Sequence, residues 1–519
     1  MIQPLMRALL VTPILTLLIL SLPAGRLRSA DLYREPYRPQ FHFTPATNWM
    51  NDPNGMVWYE GEYHLFYQYN PFGDRWGHMS WGHSVSRDLL HWEALPLALP
   101  EEGGVMIFSG SAVVDWKNTT GFGKEGHPPL VAIYTGHYTE RPLQNQQIAY
   151  STDRGRTWTK YAGNPVLDIG EKDFRDPKVF WHEPTHRWVM VVSWPVHRQV
   201  RFYASPNLKE WTHLSDFGPA GSTTGIWECP DLFPLRVDGA GGGSRWVLTV
   251  NVGSGAPGGG SGCQYFVGDF DGTGFHLDPT YPTAPGAPGL WADRGRDFYA
   301  AVSWSDVPSR DGRRLWLGWM SNWEYANDVP TAPWRSAMSI PRELGLRRLP
   351  EGLRLTQRPV RELATLRGPR LRFGGGSLEA ANRWLDRVGL HEGGFEMRVA
   401  LPAASHGIQG LRCYAGEGEE VLIAIDRDQG RLSVDRSKSG HRSFNPRFSG
   451  VTTAPLADPG AAHQLHLLVD ACSVEVFLDD GVQVLTTLVL PSPGARRIEA
   501  FGAPRLSSIE AWRLASTWR

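Results

Sequence analysis

The sequence predicts an all-β protein, a five-bladed β-propeller followed by a β-sandwich, and three observations carry that expectation. A segment of strand, polar turn and aromatic residue recurs loosely along the first half of the chain. No stretch between residues 40 and 340 shows the 3.6-residue apolar period of a helix. Past Pro341 the character changes, and strand-like runs return near residue 375.

In chain order, residues 1–30 read as an export signal peptide or an N-terminal anchor. Arg7 gives a positive start, and Leu9 to Leu22 is almost wholly apolar, too short a run for a typical membrane span. Arg28-Ser29-Ala30 places Arg where a cleavage site expects a small residue. Cleavage after Ala24 and an uncleaved anchor therefore both stay open. The expected location is secreted, either extracellular or periplasmic.

Residues 36–342 hold the repeat. The run from Ser84 to Trp92 recurs from Tyr150 to Trp158, from Tyr203 to Trp211 and, more faintly, from Phe266 to Phe275. The closing aromatics lie 66, 53 and 64 residues apart. Alternating or apolar runs fill the intervals, such as Tyr63 to Tyr69, Leu130 to Tyr134 and Trp246 to Val252. A repeat of this length, holding about four strands, is the signature of a propeller blade. About 300 residues at about 60 per blade give about five blades. The competing reading is a β-sandwich with accidental similarity.

Residues 343–374 are basic and irregular, and are expected to form a linker with at most a helical turn. Residues 375–519 carry strands again, with hairpin turns at Asp428-Gln429-Gly430 and Asp479-Asp480-Gly481. This half reads as the β-sandwich.

Composition narrows the function. With 52 basic and 53 acidic residues interspersed, no basic stripe exists to hold nucleic acid. No membrane partner is expected unless the N-terminal segment stays uncleaved. The 22 Trp fit either sugar stacking or a large β core. None of the four Cys forms a C-x-x-C pair, so neither a zinc knuckle nor a redox motif is indicated.

Three acidic knots lie next to strands: Trp49-Met50-Asn51-Asp52-Pro53, Phe174-Arg175-Asp176-Pro177 and Trp227-Glu228-Cys229-Pro230. Arg175 would help keep Asp176 ionised. Trp227 and Cys229 are poorly solvating neighbours that would raise the Glu228 pKa and suit it to proton donation. Glycoside cleavage needs such a pair, one carboxylate to attack and one carboxyl to protonate the leaving oxygen, about 5–5.5 Å apart in retaining enzymes. Taken singly, each knot is ordinary turn chemistry.

Two other motifs fail on context. His182-Glu183-Pro184-Thr185-His186 matches H-E-x-x-H, but Pro184 would break the helix that this zinc signature needs. Gly253-Ser254-Gly255-Ala256-Pro257-Gly258 is followed by more glycine and a strand, not by a phosphate-binding helix.

The Trp49-to-Gly55 run closely resembles the β-fructosidases of glycoside hydrolase family 32. So do Phe108-Ser109-Gly110-Ser111, Arg175-Asp176-Pro177, Trp227-Glu228-Cys229-Pro230, Asp297-Phe298-Tyr299-Ala300, Gly318-Trp319-Met320 and Ser473-Val474-Glu475-Val476-Phe477. The resemblance covers nearly all of the presumed mature chain. It implies a five-bladed propeller plus sandwich and release of terminal fructose from levan or inulin, with sucrose cleaved as well. By the same resemblance Asp52 would be the nucleophile, Glu228 the acid and then base, and Asp176 a transition-state stabiliser. Asn51, Gln68, Trp76, Phe108, Ser109, Arg175, Tyr299 and Trp319 would line the sugar pocket. No metal and no cofactor is implied. A levanbiohydrolase, an invertase or a fructosyltransferase of the same family stays open, as does a non-catalytic carbohydrate-binding propeller.

Overall fold

The repeated segment is the turn between the third and fourth strands of a propeller blade. This is seen in a computed structural model of the chain, which describes residues 32–518 apart from 125, 240–241, 283–288, 391–392 and 503–504. The expected export segment lies outside the described residues. In three blades the turn is built alike. Ser86, Ser151 and Ser205 donate to Asp88, Asp153 and Asn207. The ring N–H groups of Trp92, Trp158 and Trp211 donate to the carbonyls of Leu89, Gly155 and Leu208 at 3.0–3.2 Å. The closing Trp recurs because it caps its own turn.

Each blade is an antiparallel sheet whose first strand lines the central axis. These innermost strands are β1 (Asn48–Tyr59), β2 (Val105–Val114), β3 (Arg175–His182), β4 (Trp227–Arg236) and β5 (Tyr299–Ser303). Each touches the next, and β5 touches β1, so the ring closes. Residues 334–335, from the last blade's long loop, pair in parallel with the start of β1 and clasp first blade to last. Between blades the core is aromatic, and Trp49, Trp81, Trp227, Trp304 and Trp316 are fully buried.

The stretch expected as a linker differs. Arg342–Leu349 and Gly352–Pro359 form a hairpin that completes the fifth blade. Its outward strands alternate Arg with Leu because one face packs inward and the other meets solvent. That gives the segment its basic and irregular composition.

The second half packs a six-stranded sheet on a five-stranded sheet, around a core that includes Met397, Leu411, Ile423, Leu467 and Val476. A helix, Leu378–Val388, lies within the segment read as strands. Ser377 caps it by accepting from the Ala380 N–H, Gly389 ends it at φ 61°, and Trp384 and Leu385 pack on the sandwich core.

A buried ionic cluster joins the halves. Arg342 donates to Asp293 (3.0 Å) and Thr486 (2.6 Å) and pairs with Glu475. The His42 ring bridges Glu475 (2.8 Å) and Asp470 (2.7 Å). Burial alone would lower the His42 pKa, but the two carboxylates outweigh it and raise it to about 9.

Candidate active site

All five innermost strands are irregular at the same height. Asn51 and Asp52 together oppose the single residue Gln68, and Asp176 and Pro177 together oppose Val192. Cys229 and Pro230 oppose Val250, Ala300 and Ala301 oppose Gly318, and Ser109 is an extra residue in β2. Pro53, Pro177 and Pro230 have no N–H to give a sheet ladder, which favours a bulge at an inner edge. Asp176 (φ 68°), Cys229 (φ 43°) and Ala300 (φ 52°) sit in the left-handed region that non-glycine residues rarely adopt. The bulges re-aim side chains toward the axis at one end of the ring.

There the three acidic residues converge. Asp52 is buried; its Oδ2 accepts from Ser109 Oγ at 2.7 Å and its Oδ1 from Asn51 Nδ2 at 2.9 Å. Trp49 Nε1 fixes Asn51 in turn, at 2.7 Å. Burial raises the Asp52 pKa, and the hydrogen bonds from Ser109 and Asn51 pull it back. Asp176 accepts from the Cys229 N–H at 2.9 Å. The Cys229 thiol lies between the two, 3.5 Å from Asp52 Oδ2 and 3.6 Å from Asp176 Oδ2.

The surroundings of Asp176 and Glu228 differ from those their chain neighbours suggest. Arg175 favours the ionised form of Asp176, as expected, but only through its charge, because its guanidinium hydrogen bonds go to Glu228 Oε1 (2.9 and 3.0 Å) and to Asp173 (3.0 Å), and burial outweighs it. The Asp176 pKa is pushed up to about 7, by burial first, with Arg175 opposing and the charges of Glu228 and Asp52 adding to the rise. Glu228 is not enclosed by its chain neighbours. The Trp227 ring packs away, donating to the Ser222 carbonyl, and the Glu228 carboxylate stays partly exposed. Its Oε2 accepts from the Tyr299 hydroxyl. Burial, and then the charge of Glu228, hold that hydroxyl protonated well above its ordinary pKa.

The remaining expected residues fall into two layers. Phe108 and Trp76 meet edge to face at 6.1 Å, and Trp76 is 42% exposed. Gln68 is buried and donates to the Ile107 carbonyl. Trp319 is fully buried, packed on Trp49, Tyr299 and Trp323, so it supports the pocket from behind.

Other contributors carry no family motif. Gln144 accepts from Phe174 N–H and Arg175, and Gln146 donates to the Phe174 carbonyl. Thr135 accepts from the Asp176 N–H, and His137 stacks on Phe108 at 4.4 Å. One signal was available. Gln144-Asn145-Gln146-Gln147 is a run of four polar residues inside a strand, all buried, as a strand beside a polar site requires.

Comparison with known proteins agrees with this geometry. Residues 42–359 match the glycosyl hydrolases family 32 N-terminal domain, and residues 363–513 match the family's C-terminal domain. A levanase of Bacillus subtilis is 51% identical over 97% of this chain and 74% of its own length. An extracellular exo-inulinase of Aspergillus niger is 41% identical over 94% of this chain and 96% of its own. The crystal structure of exo-inulinase from Aspergillus awamori superposes with a TM-score of 0.85 at 37% identity, covering 94% of this chain and all of that one. The β-fructofuranosidase of Schwanniomyces occidentalis complexed with fructosyl-erythritol gives 0.82 at 31% identity, over 95% of this chain and 100% of that one. The chain belongs to glycosyl hydrolases family 32.

Proposed function

We propose that the protein is a secreted, retaining exo-fructosidase that releases terminal fructose from levan or inulin and also cleaves sucrose. The convergence of Asp52, Asp176 and Glu228 on one end of the propeller axis is the observation that carries this reading. Relatives named levanase and exo-inulinase supply the substrate class. Secretion is supported by relatives named extracellular, and no helix among the described residues is long and apolar enough to cross a membrane.

In this mechanism the Asp52 carboxylate attacks the anomeric carbon of the terminal fructose while Glu228 gives its proton to the leaving oxygen. The glycosidic bond breaks and a fructosyl ester forms on Asp52. Glu228 then takes a proton from water, which attacks the same carbon and frees Asp52. Ser109 and Asn51 hold the Asp52 oxygens for attack. Burial, with the charges of Glu228 and Asp52 adding to it, pushes the Asp176 pKa up to about 7, so Asp176 can hold a proton beside the pair near neutral pH. Asp176 accepts sugar hydroxyls and stabilises positive charge on the ring.

Chromatography of products from levan, inulin and sucrose tests the reading. Fructose alone from polymer, lost by about 10²–10⁴-fold in Glu228→Ala, is expected. Disaccharide products would overturn the exo-fructosidase assignment, and undiminished release in the variant would overturn the role of Glu228.

A further inference from the structure

The innermost strands all run from the catalytic end to the opposite face, where the far ends of β2, β3 and β4 and the turn after β5 surround a cavity of about 500 Å³. That volume falls within the range of small-ligand sites. The cavity is separate from the catalytic pocket. Between them lies a void of about 10 Å³ along the axis, room for one water at most. Lys178 lines both spaces, with its ammonium bonded to the Ser303 carbonyl (2.5 Å) and 3.4 Å from Asp231. A sugar chain cannot thread from one to the other.

The lining is aromatic and held in place. Trp116 is 56% exposed, yet its ring N–H donates to Asp306 at 2.8 Å. The Trp181 N–H donates to Glu183 at 2.5 Å, and Trp246 packs edge-on against Phe270 at 5.3 Å. Rings fixed before binding lose little freedom when a ligand arrives. Arg314 lines the same cavity and, among the described residues, makes a single hydrogen bond, to the Trp304 carbonyl at 3.3 Å, whereas a guanidinium carries five donors. The charges offset one another: Lys117 faces Glu183 at 3.6 Å, Lys178 faces Asp231, and Arg314 and Asp306 attract each other. Flat rings suit the C–H faces of a sugar, spare guanidinium donors suit its hydroxyls, and the balanced charge favours a neutral ligand over an ion.

We propose that this cavity is a second saccharide site, holding a short run of neutral fructan chain while the catalytic pocket works on a chain end. That the saccharide is a fructan rests on the function proposed above. Holding the polymer at a second point raises the local concentration of chain ends.

The test uses the full chain with Trp116→Ala and, to keep a flat ring, Trp116→Tyr. Migration is measured in gels containing levan, inulin or dextran, in an Asp52→Ala background that leaves the polymer intact. Rates on levan and sucrose are measured with Asp52 present. The expected result is retardation by levan or inulin that falls severalfold in Trp116→Ala and is mostly kept in Trp116→Tyr. The rate on levan should fall likewise while the rate on sucrose does not change. Unchanged retardation in Trp116→Ala, equal losses on levan and sucrose, or retardation by dextran alone would each overturn the proposal. A parent protein that cleaves sucrose but no fructan would overturn the proposed polymer substrate and the choice of fructan together.

Discussion

Asp176 sits in an environment that its sequence neighbours do not announce. Arg175 precedes it, yet the bulge sends the guanidinium to Glu228 and leaves Asp176 among carboxylates. Its pKa is raised in the folded state, so it favours folding at pH values below its unfolded pKa of 3.8, and that contribution is lost as pH rises through about 7. Asp176→Asn is therefore expected to melt higher than the parent above pH 7, with the gap closing as pH falls toward 4; thermal melts across that range measure it. Arg175→Lys keeps the charge but loses the fork that grips Glu228. A loss of one charge-assisted hydrogen bond, about 1.5–3 kcal/mol, predicts a fall of about 10- to 100-fold in kcat/KM on sucrose. The three acidic residues stood out in the sequence because each lies in a knot closed by a proline one or two residues on, Pro53, Pro177 and Pro230. Their electrostatics did not, since Glu228 meets Arg175 and Tyr299 only across strands from different blades.

At the level of strands, proline and glycine placement decides the site. Gly110 follows the extra residue Ser109, and a Cβ there would stand 2.1 Å from the Ile133 carbonyl oxygen and 2.7 Å from Tyr134 Cα. Both are backbone of the adjacent, outer strand, so Gly110→Ala must push β2 away from that strand and shift Ser109 relative to Asp52. Lower stability in urea, together with a drop in kcat at unchanged product pattern, is the expected outcome. Blade number was readable because the third-to-fourth-strand turn repeats with its capping Trp. The fifth blade hid its outer hairpin, since Arg342–Leu349 follows a long loop and lacks that turn. The helix at Leu378–Val388 was missed for another reason. Its cap, Ser377, its stop, Gly389, and an apolar stripe of Leu378, Ala381, Trp384, Leu385 and Val388 at helical spacing are clear signals, but the element is only eleven residues long and lies in a segment otherwise patterned as strands.

Across the whole molecule, the propeller and sandwich are locked by buried charge. Arg342→Met would leave Asp293 and Glu475 short of a partner, and a loss of about 3–5 kcal/mol in unfolding free energy is expected. His42 works in the same junction. Its pKa rises from 6.5 to about 9 on folding, so its stabilisation is present below pH 6.5 and lost as pH rises through about 9. His42→Gln should lower the melting temperature at pH 6 and differ progressively less from the parent above pH 9. None of this junction could be read from motif spacing, because residues 42, 293, 342 and 475 meet only in the folded chain. Asp52 as the nucleophile is the centre of the proposed mechanism. Intact and peptide mass spectrometry of Glu228→Ala, quenched during reaction with a fructosyl donor that needs no acid catalysis, tests that claim most directly. One fructosyl unit on the peptide containing Asp52, absent when Asp52 is also changed to Ala, is the predicted result. A fructosyl unit on Asp176 or elsewhere, or one that persists without Asp52, would contradict it.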